Sequence, residues 1–284
     1  MREQTLAARE VIVVADHNRA LLERARRELH GVTVVANGGE RGLSGARNNG
    51  VAVATGDVVA FLDDDAAAAR DWLERLTAPY ADARVLGVGG AIDPRWLDGR
   101  PRAFPAEFQW VVGCSYEGMP TAPAPVRNLI GANMSIRRAV LERVGGFRSD
   151  MGRIGRRPLG CEETELCIRA ARELPGGVFV YEPRARVAHA VPGARTTWRY
   201  FRSRCFAEGL SKARVAALAG AGDGLSSERS YATRTLPAGI ARGLSDARRG
   251  DVAGLARASA IVTGLAVTAA GYVAGSAREA ISWT

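Results

Sequence analysis

Lysine is nearly missing from this chain: of 39 basic residues in 284, only Lys212 is a lysine. The net charge of +9 is therefore arginine charge. It is never gathered into one strip with interleaved aromatics, so no nucleic acid is expected as partner. A basic surface of this kind still suits phosphate-bearing small molecules or anionic lipid headgroups. Cysteine is scarce too. Cys114, Cys161, Cys167 and Cys205 are spread too widely for a small disulfide scaffold, and the lack of any CxxC pair argues against zinc. They read as reduced, packed thiols of a cytoplasmic protein. The start, Met1-Arg2-Glu3-Gln4-Thr5, has no signal-peptide apolar core, so the expectation is a protein that stays inside the cell. No internal repeat is present, and 47% hydrophobic residues is the content of an ordinary globular core.

What is present is an alternation. Glu10 to Val14 is a short β-branched run, and Asp16-His17-Asn18 after it reads as a loop at a strand's carboxyl end. Arg19 to Leu29 has apolar positions at Leu21, Leu22, Ala25 and Leu29, with Gly31 as a stop, which predicts a helix. Val32 to Ala36 is a second strand, Ser44 to Ala54 a second helix and Val58 to Leu62 a third strand. This βαβαβ order predicts an α/β protein with a mostly parallel sheet, helices on both faces, and a ligand crevice at the strands' carboxyl ends. Further on, a short helix from Asp71 to Tyr80 and the strand Val85 to Gly89 precede an irregular stretch, Asp93 to Pro125, rich in Pro, Gly and aromatics. Such a segment inside a domain is usually functional. Helices at Ala139 to Val144 and Glu163 to Glu173, then a strand at Val178 to Tyr181, complete the pattern.

Asp63-Asp64-Asp65 closes the third strand. Three adjacent carboxylates repel one another unless a cation or many donors neutralise them. An oxygen-rich site suits Mg²⁺ or Mn²⁺ shared with a diphosphate; the plain alternative is a solvated turn. Glu162, Glu163 and Glu165 read, on their own, as the acidic first turn of a helix.

Taken in order, these blocks resemble family 2 glycosyltransferases. Thr55-Gly56-Asp57-Val58-Val59 followed by Phe61-Leu62-Asp63-Asp64-Asp65 resembles the family's DxD region. Val14-Ala15-Asp16 resembles its DDxS motif, with Ala15 where an aspartate is usual. Gly42 to Gly50 resembles G-x-x-x-A-R-N-x-G, Asn128 to Arg138 the G-x-N-M-[AS]-x-R-R strand, and Gly145-Gly146-Phe147 with Gly160 to Arg169 the GGF and "ED" blocks. The resemblance covers about residues 4 to 215. It implies a GT-A fold, catalysis by Glu163 with its neighbour Glu162, donor binding by Asp16, Arg47, Asp63, Asp64, Asn133 and Arg195, and a metal held by Asp65, Asp63 and His189. The expected cofactor is Mn²⁺ or Mg²⁺. Arg204 and Lys212 are further candidates for phosphate contacts, with a surface role as the alternative.

The resemblance also implies an inverting transfer from a nucleotide-diphosphate sugar, a UDP- or TDP-sugar, to a glycan or polyprenyl-linked acceptor. The alternative is a non-catalytic remnant that binds nucleotide or glycan. Family members usually begin with one more strand and helix ahead of Gln4-Thr5, which motivates that alternative. The expected division is 1–215 as the transferase domain and 216–284 as a C-terminal helical tail. From Ala258 to Ala277 the tail is uncharged, long enough to span a bilayer yet mostly Ala, Gly, Val and Thr. A packed or interfacial helix is the preferred reading, with peripheral contact at the inner face of the cell membrane.

Overall fold

Short β-branched runs and amphipathic helices alternate through the first third of the computed structural model, which describes residues 1–284 except 2, 154, 156–158, 221, 223–225, 283 and 284. Strand β1 (Ile12–Ala15) pairs in parallel with β2 (Thr33–Ala36), Ile12 opposite Thr33 and Ala15 opposite Ala36. Between them runs α1 (Arg19–Glu28). The Asn18 side chain caps it by accepting from the Leu21 amide, and Arg26 and Arg27 complement its carboxyl end. Then follow α2 (Leu43–Val53), β3 (Val58–Leu62), β4 (Ala66–Ala68), α3 (Trp72–Thr77), β5 (Val85–Trp96), β6 (Ala124–Val126), β7 (Asn133–Arg137), α4 (Arg138–Val144), α5 (Glu162–Glu173) and β8 (Val178–Val191). The helices α6 (Trp198–Ala219), α7 (Ser226–Ser230), α8 (Leu236–Arg248) and α9 (Ala253–Ser282) complete the chain.

The chain forms two compact units. The first comprises Met1–Asp64, Ala68–Ala91 and Ala122–Val187; the second comprises Asp65–Ala67, Ile92–Thr121 and Ala188–Thr284. In the first, β7 lies between β3 and β5 and is antiparallel to both, with Leu62 opposite Asn133 and Gly89 opposite Met134. That register sets Asp63 just beyond the end of a paired strand. Met134, Ile136, Leu141, Leu166 and Phe179 form the core beneath the sheet. The Thr55-Gly56 turn ahead of β3 is tied to the start of β1 by Glu10. Its Oε1 accepts from Thr55 N at 2.7 Å, Thr55 Oγ1 at 2.9 Å and Gly56 N at 3.2 Å, which holds its carboxyl below the usual range.

The expected α/β class and helix positions are found, but the sheet is less parallel than expected, since β7 is antiparallel to β3 and β5 and β6 is antiparallel to β8, and the strands β5 and β8 run further than their apolar cores predict. β8 extends beyond Tyr181 to Val191. Its later half alternates, with Ala185, Val187, His189 and Val191 inward and Arg184, Arg186, Ala188 and Ala190 on the other face, and Pro183 and the two arginines mask the strand in sequence. The expected C-terminal helical tail is found, helical over nearly all its described length, and its glycines serve packing. A Cβ on Gly209 of α6 would collide with the Thr268 carbonyl, and one on Gly271 with that of Phe206. Small residues thus let α6 and α9 approach closely.

Candidate active site

In the first unit the motif residues converge on Arg47. Its side chain is only 7% exposed, and it donates through Nη1 to Glu162 Oε1 at 2.9 Å and through Nη2 to the Gly131 carbonyl at 3.1 Å. Nη2 also lies 3.6 Å from Asp63 Oδ1. The guanidinium carbon sits 5.9 Å from the Phe61 ring centroid and 5.5 Å from that of Phe147, and these two rings meet edge to face at 5.4 Å. Gly131 has no side chain for a reason: a Cβ there would stand 2.5 Å from Nη2. One residue on, Asn48 exchanges two hydrogen bonds with the Phe147 backbone, at 2.7 and 2.8 Å. Five separated sequence blocks therefore meet around one buried cation.

Helix α5 begins at this cluster. Its cap, Cys161, has φ +67, a left-handed conformation costly for any residue with a side chain, and it turns the chain so that successive glutamates enter different surroundings. Glu162 is 3% exposed and committed to Arg47, while Glu163 is half-buried. Glu165 is bound by Arg169 at 2.8 Å. Asp64, the middle aspartate, is exposed.

Two expected donor residues are occupied by the protein itself. Asp16 Oδ1 accepts from Asn37 Nδ2 at 2.7 Å, and Oδ2 accepts from the Gly42 amide at 3.1 Å, which closes the loop between β2 and α2. Asn133 is fully buried. Its Nδ2 donates to the carbonyls of Ala91 and Ala185, both at 2.9 Å, and Oδ1 accepts from Trp72 Nε1 at 2.8 Å. Sequence reasoning missed Asn37 and Trp72. Asn37-Gly38-Gly39 after a strand is a turn signal that could have drawn attention to the first.

In the second unit Asp65 is the meeting point. Its Oδ1 lies 2.9 Å from Nε2 of His189, and its Oδ2 lies 3.1 Å from Nη2 of Arg195. The hydrogen bond from His189, followed by the charges of His189 and Arg195, holds the carboxyl below its usual range against the opposing effect of burial. His189 is 3% exposed, and its Nδ1 faces the thiol of Cys114 at 3.9 Å, a neighbour that no local pattern signals. Burial pushes that thiol up to about 12, so it stays protonated. Lys212 is engaged by Glu228 at 2.6 Å and Glu208 at 3.1 Å.

Comparison with known proteins identifies relatives of the chain. The family described as Glycosyl transferase family 2 matches residues 1–145. A glucosyl-dolichyl phosphate glucuronosyltransferase of Haloferax volcanii is 36% identical over 213 residues, covering 74% of this chain and 68% of the relative. A succinoglycan biosynthesis protein of Rhizobium meliloti is 29% identical over 218 residues, covering 74% of this chain and 66% of its own length. Among solved structures, a mannosyltransferase from Pyrobaculum calidifontis in complex with GDP-Man and Mn²⁺ superposes with a TM-score of 0.60. It is 20% identical, and the superposition covers 96% of this chain and 80% of that one. Its fold is therefore shared. With half the chain matched by the family and one relative at 36% identity over most of both lengths, this protein belongs to glycosyltransferase family 2.

Proposed function

We propose that the chain transfers a sugar with inversion from a nucleotide diphosphate, a UDP- or TDP-sugar, to a glycan or lipid-linked acceptor. The observation that carries this reading is the division of labour at the start of α5. Glu162 is locked to Arg47, whereas Glu163, one residue on, is half-buried. A general base must be able to reach its substrate, and Glu163, less buried than Glu162, suits that role better. In the step proposed, the acceptor hydroxyl oxygen attacks the anomeric carbon, the bond from that carbon to the diphosphate oxygen breaks on the opposite face, and Glu163 takes the hydroxyl proton.

Asp65 and His189 of the second unit offer a carboxylate and an imidazole, donors that would suit Mn²⁺, and Mg²⁺ through the carboxylate. Such a cation would neutralise charge on the departing diphosphate. Arg195 orients Asp65 and reaches toward the same charge. Asp64, exposed, is a donor contact in this scheme. Asp16, Arg47 and Asn133 act from behind the site by shaping its walls, since their polar atoms are bound within the protein. Every group in the scheme lies in 1–215, and a lipid-linked acceptor would place the enzyme at the inner membrane face.

The test is transfer by Glu163→Gln beside its nucleotide affinity. The reading expects turnover to fall about 10²- to 10⁴-fold with binding of UDP or TDP retained. Full transfer activity in Glu163→Gln would remove the proposed base.

A further inference from the structure

Helix α9 is long and apolar enough to cross a membrane by length and composition. Its packing argues for another placement. Along one side it is held by α6 and α8 at points where only glycine fits. Gly209 meets the Thr268 backbone, Gly271 meets Phe206, and Gly243 of α8 lies against Gly254 and Ala258. The α6 segment so engaged carries Glu208, Lys212 and Arg214, and Arg214 pairs with Glu279 of α9 at 2.5 Å. A spanning α9 would have to strip away α6 or drag these charges into hydrocarbon, and both are costly.

The other side of α9 faces out. Leu255, Val262, Leu265 and Val273 are between 42% and 68% exposed and their spacing keeps them on one face, with Val252 just before the helix and Ile281 near its end exposed as well. The residues between them from Ala258 to Ala277 are uncharged. A helix face that merely met water would carry charge, and an apolar stripe of this length marks an interaction surface.

The ends of the stripe identify the partner. Exposed Arg248 and Arg249 stand just before the helix and exposed Arg278 near its end. The acidic groups close to them are engaged: Asp246 and Asp251 by Arg257, and Glu279 by Arg214. A second copy docked through this stripe, parallel or antiparallel, would set arginine against arginine. An anionic lipid surface attracts both ends at once. We propose that the outer face of α9 lies flat in the headgroup boundary of a bilayer rich in anionic lipid. This surface stands on helix packing and charge and is independent of the transfer chemistry.

The test is flotation of the full chain with vesicles of phosphatidylcholine alone and of phosphatidylcholine with phosphatidylglycerol. Wild type is expected to float with the anionic vesicles about tenfold or more over the neutral ones. Val262→Glu/Val273→Glu should lose about tenfold or more of that binding with an unchanged melting temperature, because both sites are exposed. Arg248→Gln/Arg249→Gln/Arg278→Gln should lose the preference for anionic lipid. The proposal is overturned if wild type floats with neither vesicle. It is equally overturned if bound protein resists extraction by alkaline carbonate, the behaviour of a spanning helix. A third contrary result is a dimer, seen by light scattering, that the glutamate pair splits while vesicle binding is absent.

Discussion

Asp63 and Asp65 are separated by one residue and occupy different electrostatic worlds. Asp63 faces Arg47, a cation buried between two phenylalanine rings and already committed to Glu162. Asp65 faces His189, whose charge depends on protonation, and Arg195, whose side chain is 23% exposed. The first surrounding is a finished structural knot. The second is a partly open arrangement in which an imidazole and a guanidinium converge on one carboxylate. The difference teaches that a motif arginine beside a carboxylate need not be a ligand contact. Burial decides whether its charge is consumed by the fold or kept for a ligand.

The comparison can be broken most severely at Glu163. If the buried knot presents that glutamate as the base, Glu163→Gln lowers turnover about 10²- to 10⁴-fold in a transfer assay while chemical denaturation shows little change in stability. Arg47 comes next. Arg47→Met leaves Glu162 as a buried, unpaired charge, and urea unfolding should show a loss of about 3–5 kcal/mol. Adding Glu162→Gln should restore a large part of it, since the orphaned charge is gone. A loss of nucleotide affinity without loss of stability in Arg47→Met would place that arginine with the ligand after all. Arg195→Met should behave in the opposite way. Its donor affinity should drop by about 1.5–3 kcal/mol in calorimetry, the worth of a charged hydrogen bond, with unfolding shifted by less than about 1 kcal/mol. The smallest effect is expected at Trp72→Phe, which removes the indole donor to Asn133. It should cost about 1–3 kcal/mol of stability and leave the metal dependence of donor binding as it was.

Much of this was legible in the sequence because periodicity and turn chemistry are local. The helix starting at Arg19 and the strand Val58 to Leu62 lie within one residue of their expected places, and the first strand begins two residues later than expected, at Ile12. The ordered motifs also named residues that the fold brings together, Arg47 with Glu162 and Asp65 with His189. What local pattern could not convey was which side of each side chain the protein itself would occupy. Asn133 looks like a ligand residue in its strand, yet Trp72, Ala91 and Ala185 use all of its amide. The tail was expected to be helical, but how its helices pack stayed hidden for a related reason. Glycine weakens a helix considered alone, whereas Gly209 and Gly271 permit the close helix contact that stabilises this one, and that gain appears only once the partner helix is known.

The most direct test of the account is calorimetric titration of UDP, TDP and GDP into wild type and Asp65→Ala, with and without Mn²⁺. The account predicts that one nucleotide binds only with the metal, and that Asp65→Ala abolishes this binding with the melting temperature little changed. Nucleotide binding that persists without Mn²⁺ and survives Asp65→Ala would contradict it.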